Sequence, residues 1–190
     1  MAEKTLDQKE ALGVIEEMVN ESLYKVEKEA KYFLLWGWMV FAAAMIHFFA
    51  LLSGFENSWL LWPIMMGLAF VIYVFMIIRS KKESKALSYI DRVNKVLWIG
   101  FLGPLVITTL IGSVYGWQTA YPMFMALYGW AALVSGGLLK FNALRLGGMA
   151  SMLIGAVSVF LPGIYLLLLL AAAVLFGFIL PGHALSRSGS

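Results

Sequence analysis

Few side chains in this 190-residue chain could do chemistry, and their types narrow what that chemistry could be. It has two histidines, His47 and His183, and no cysteine, so thiolate nucleophiles and thiolate metal sites are excluded. His47 is followed by Glu56 and Asn57. A His–Glu pair could sense pH or take up a metal, but one of each falls short of a metal ligand set. The simpler expectation is a hydrogen bond from His47 to a backbone carbonyl or a neighbouring Ser or Thr. Lys140, Asn142, Arg145 and His183 make a second polar set, a candidate cluster at one membrane face. It lacks a nucleophile with a positioned base, so an enzyme working there is the least favoured reading. No catalytic residue, cofactor or metal is expected.

A third constellation is nearly apolar. Gly100, Pro104, Thr108 and Gly112 lie in one apolar stretch, and Pro104 removes a backbone hydrogen bond and kinks its helix. A kinked, glycine-rich, threonine-bearing helix could line a path for an uncharged or weakly polar solute. Ordinary packing explains the same residues, since Gly and Pro are common in spanning helices. Ala143, Gly147, Ser151 and Gly155 form a further four-residue stripe, of the kind that lets two helix backbones approach closely.

The elements that must position these residues follow from composition. Hydrophobic residues make up 62% of the chain and charged residues 13%, with a mean hydropathy of +0.84. A soluble domain carries about 25% charged residues and could not hide this much apolar surface in one core. The chain therefore reads as an all-α polytopic membrane protein. A helix needs about 20 apolar residues to cross the hydrocarbon, and six such stretches are present: 32–52, 59–78, 96–115, 122–139, 143–161 and 163–180. The long apolar run from Leu146 to Leu180 is divided at Pro162-Gly163, a turn signal. The cores of these stretches hold no Asp, Glu, Lys or Arg, which removes the intramembrane carboxylates of proton relays and aspartyl proteases.

Charge sets the orientation. All 14 Lys and Arg residues fall on one side of a six-span topology, and the other side carries only Glu56. By the positive-inside rule both termini are cytoplasmic. Tyr32, Trp36, Tyr89 and Trp98 on one side, and Trp59, Trp62, Tyr115, Trp117 and Tyr121 on the other, match the aromatic belts of a bilayer. No signal-peptide pattern heads the chain, and no soluble basic module suited to nucleic acid is seen.

Residues 1–31 stand apart. Leu12, Ile15, Val19 and Val26 recur at three-and-four spacing, which predicts an amphipathic cytoplasmic helix, capped by Thr5 or Asp7. The segment has five lysines against eight acids, a poor composition for an anionic membrane surface. Its apolar stripe calls for a protein: a second copy of itself, a cytoplasmic partner, or the basic connection 79–95, where six bases face two acids. That connection is expected to be helical from about Ser84 onward. Residues 183–190 are expected to form a short cytoplasmic tail.

Leu35-Trp36-Gly37-Trp38, Ser135-Gly136-Gly137-Leu138-Leu139-Lys140-Phe141, Gly147-Gly148 and Leu180-Pro181-Gly182-His183 together resemble a family of small bacterial six-helix inner-membrane proteins. The resemblance implies an inner-membrane location and a feature shared by Lys140 and His183 at the inner face, and it brings no activity with it. The leading expectation is a non-enzymatic subunit that assembles, or regulates a partner, through its N-terminal helix. The alternative is a small transporter or channel with its path beside Pro104.

Overall fold

A computed structural model describes the backbone of residues 8–79, 89–161 and 163–188, and the side chains of 30–79, 92–161 and 163–187. Every element in it is helical: α1 (Gln8–Leu52), a 3-10 turn (Ser58–Leu60), α2 (Leu61–Arg79), α3 (Tyr89–Tyr115), α4 (Trp117–Leu138), α5 (Asn142–Ser158), α6 (Tyr165–Val174), a π segment (Leu175–Ile179) and α7 (Leu180–Ser188). Four stretches are long and apolar enough to cross a membrane: Ala30–Leu52, Ser58–Arg79, Arg92–Tyr115 and Tyr165–Arg187. The helices α4 and α5, expected as spans four and five, are not among them. α5 has only 17 residues, and α4 opens on the polar run Gln118-Thr119.

Several expected boundaries move. α1 is one helix of 45 residues, with no break where the charged segment gives way to the apolar one. The composition changes there, but no Pro or turn residue interrupts the backbone ladder, and a helix continues until something stops it. The Thr5 and Asp7 caps lie outside the described residues, as do 80–88 in the basic connection and Pro162 in the α5–α6 turn. The side chains of the predicted stripe Leu12, Ile15, Val19 and Val26 also lie outside the described residues, although their backbone is helical. The loop expected at 116–121 shrinks to one residue: Gly116, at φ +95°, turns the chain, and α4 begins at Trp117.

The expected tail is helix as well. α6 runs on through the π segment and α7 to Ser188. Pro181 has no N–H to give the carbonyl of Gly177 and would end an α-helix there; the preceding five residues widen into π geometry and the helix survives the proline. His183 consequently sits in a helix and not in a loose tail.

The bundle is built around this last helix. Of the most apolar 18 residues within Tyr165–Arg187, 61% are buried, against 6% of those within Ser58–Arg79. Leu166, Leu167, Leu170 and Val174 are enclosed by α1, α4 and α5. α3 lies on α4, and α2 lies on α1. Rings fill the seam between them: Phe33 packs on Trp98 and Phe178, and Tyr128 packs on Phe101, Phe124 and Phe178.

Candidate functional site

Three places gather the residues that the sequence singles out. The first is at the Leu52 end of α1. There the Trp62 indole N–H donates to Nδ1 of His47 across 2.8 Å. The two rings meet edge to face, and the ring of Tyr121 of α4 lies tilted against Trp62 at 6.4 Å between centroids, its hydroxyl within reach of the indole N–H. His47 is 8% exposed. Its partner is therefore neither a carbonyl, nor a Ser or Thr, nor Glu56, which lies exposed in the following turn. An indole nitrogen can only donate, so Nδ1 must be unprotonated and the imidazole must be the neutral Nε2–H tautomer. Sequence reasoning read Trp62 and Tyr121 as interface anchors. The contact depends on the register that the Ser53–Asn57 turn gives α2 against α1, and no residue spacing encodes that.

The second place is the α4–α5 turn. Phe141 N–H donates to the Gly136 carbonyl and Lys140 N–H to that of Gly137, the paired bonds that close a helix C-terminus. The left-handed residue such a turn requires is Lys140, at φ +53°. Arg145 returns from the first turn of α5 and donates from Nε to the Gly136 carbonyl, from one terminal nitrogen to that of Gly137, and from the other to Asn142 Oδ1. So Asn142 and Arg145 do meet, and they act as a clamp on a helix end where the carbonyls carry partial negative charge. Lys140 is exposed beside them. His183 is elsewhere, with its ring edge-on to Trp38 of α1. The expected four-residue cluster is thus two separate arrangements.

The third place is the kink of α3. A crevice of about 440 Å³ is lined by Pro104, Ile107, Thr108, Met123, Ala126, Leu127, Trp130 and Met152. Ile107, Met123 and Trp130 are exposed, so it opens sideways on the bundle surface. Gly112 does not contribute: it is pressed against Trp117 and Ala120 and allows the tight α3–α4 turn. Gly100 faces open space. Of the four expected path residues, only Pro104 and Thr108 line the crevice.

No family model, curated protein or solved structure matches this chain.

The remaining named residues serve packing. Gly147 lies directly on the Phe176 carbonyl of the π segment and beside Pro181, Ser151 donates its hydroxyl to the Met125 carbonyl at 3.1 Å, and Gly155 abuts Pro122 and Met125. Ala143 joins Gly147 and Ala150 along a shallow groove of about 400 Å³ between α5 and α7. A buried pair that the sequence did not flag, Ser135 of α4 and Asn94 of α3, ties those two helices at 3.5 Å. Among the described residues, no three His, Asp or Glu side chains gather in a way that could hold a metal.

Proposed function

We propose that this chain is a non-enzymatic inner-membrane subunit, with six spans and both termini cytoplasmic, that assembles through the N-terminal part of α1. The observation that carries the reading is the continuity of α1. Its 45 residues reach about 68 Å at 1.5 Å per residue, against roughly 30 Å of hydrocarbon. With Ala30–Leu52 in the bilayer, the part from Gln8 onward projects as an extension of a spanning helix. Whatever binds such an extension is coupled mechanically to the bundle, which suits a regulatory subunit or a homo-oligomer.

Six spans also put α4 and α5 across the bilayer, a placement favoured by the glycine contacts they make with each other and with α6–α7. The transport reading finds less support, since the crevice at Pro104 opens sideways and Gly100 and Gly112 point away from it.

Native mass spectrometry of the full chain and of a form lacking residues 1–29 tests the assembly reading. The full chain is expected as an oligomer or a partner complex when extracted in mild detergent, and the truncated form as a folded monomer. Identical stoichiometry in both forms overturns it.

A further inference from the structure

The attachment of α2 to the rest of the molecule is confined to few groups. Among the described residues its backbone comes close only to α1 and to the 3-10 turn that leads into it. Near its Arg79 end, Tyr73 packs on Tyr32 and Trp36. Near its start, Trp62 is bonded to His47 and lies against Tyr121. Between these two ends Ala69 is buried and Met66 packs against the core, while Ile64, Phe70, Val71 and Ile78 turn outward.

The bond at the Trp62 end has one property that the contacts at the Tyr73 end lack. It exists only while Nδ1 of His47 holds a lone pair. Imidazolium carries a proton on both nitrogens, so protonation sets an N–H against the indole N–H and removes the indole's acceptor on α1, leaving it only the Tyr121 hydroxyl of α4 beside it. We propose that the His47–Trp62 hydrogen bond is a proton-released latch: neutral His47 holds the first turns of α2 on α1, and its imidazolium lets that end go while the Tyr73 end stays in place. The groups around His47 agree with this. From α2 it meets Trp62, which does not titrate, and from α4 the cluster is closed by Tyr121, a neutral phenol across the same range. α6 contains no Asp, Glu, Lys, Arg or His, and among the described residues no carboxylate is bonded to His47.

The absence of native cysteine allows spin-label pairs to be introduced without background. Phe49→Cys with Ile64→Cys reports the latched end, and Lys31→Cys with Ile78→Cys reports the other. Between about pH 8 and about pH 4 the first pair is expected to lengthen and broaden while the second stays fixed. His47→Asn, which offers an amide oxygen near the Nδ1 position and cannot titrate, is expected to abolish the response. Trp62→Phe is expected to give the lengthened distribution at both ends of the range. A first pair that does not move, two pairs that move together, or a His47→Asn form that responds like the parent overturns the latch.

Discussion

The α4–α5 hairpin and α2 invert the usual relation between apolarity and burial. α2 belongs to one of the two most apolar stretches, with a mean hydropathy of 2.4, yet only 6% of its window is buried. α4 and α5 do not reach the apolarity and length of a candidate span, yet Gly129, Gly136, Gly147, Gly148, Ser151, Ser158 and Gly155 are all buried between helices. In water the more apolar helix would be the more buried. In a bilayer, lipid tails compete equally well for Leu and Ile, and helices associate where small residues let backbones touch and buried hydroxyls find carbonyls. Hydropathy alone therefore does not decide burial, since Tyr165–Arg187 is as apolar as Ser58–Arg79 and far more buried; the α4–α5 contact is made where small residues let backbones touch.

That contrast breaks most visibly at Gly129. A Cβ there would lie 2.6 Å from the Gly148 carbonyl oxygen and 2.8 Å from the Met152 backbone nitrogen. Neither is a flexible side-chain end, so Gly129→Ala must push α5 off α4. The expected cost is about 3 kcal/mol, at the upper end for overpacking, read as a lower unfolding midpoint in detergent. A midpoint equal to the parent's would mean that the two backbones are not in contact.

Half of this hairpin was legible. The stripe Ala143, Gly147, Ser151, Gly155 shows in the sequence because four-residue steps return to one helix face. The contacts of Gly129 with Gly148 and of Gly136 with Arg145 lie off that stripe, and Gly129 and Gly136, seven residues apart, carry no such signal alone. The α1–α2 connection falls where the sequence divides 32–52 from 59–78. The α4–α5 turn also falls where the sequence divides 122–139 from 143–161, although its left-handed position is filled by Lys140 where a glycine is usual. The single-residue α3–α4 turn was not legible: the sequence leaves 116–121 between two spans, although 117–121 is helical. The unbroken α1 was hidden by its change of charge, which sets the environment of a helix and not its backbone.

The two helix ends that share the paired-carbonyl closure make a sharper test of intermediate size. After α1, Gly54 sits at φ +71° with Phe55 N–H on the Ala50 carbonyl; after α4, Lys140 sits at φ +53° with Phe141 N–H on the Gly136 carbonyl. The geometry is the same and the residue differs. A lysine in this conformation costs about 1–2 kcal/mol that glycine does not, offset in part by its charge near a helix C-terminus. Lys140→Gly is expected to raise the unfolding midpoint by the equivalent of about 1 kcal/mol. A fall would mean that the exposed Lys140 ammonium contributes more than the strain it brings.

The smallest effect is expected at Gly67, and it isolates the comparison because the chemical change is the one made at Gly129. A Cβ at Gly67 meets nothing within 4 Å, since α2 turns that position away from its neighbours. The only terms left are local: alanine loses less backbone freedom on forming a helix than glycine does, and it places one methyl group in lipid at no desolvation cost. Gly67→Ala is therefore expected to be neutral or stabilising by about 0.5 kcal/mol, measured in the same detergent unfolding assay as Gly129→Ala. The identical substitution would then differ in sign between two helices of one chain. A loss at Gly67 comparable to that at Gly129 would show that α2 is covered, in the assembled protein, by a surface that needs the glycine.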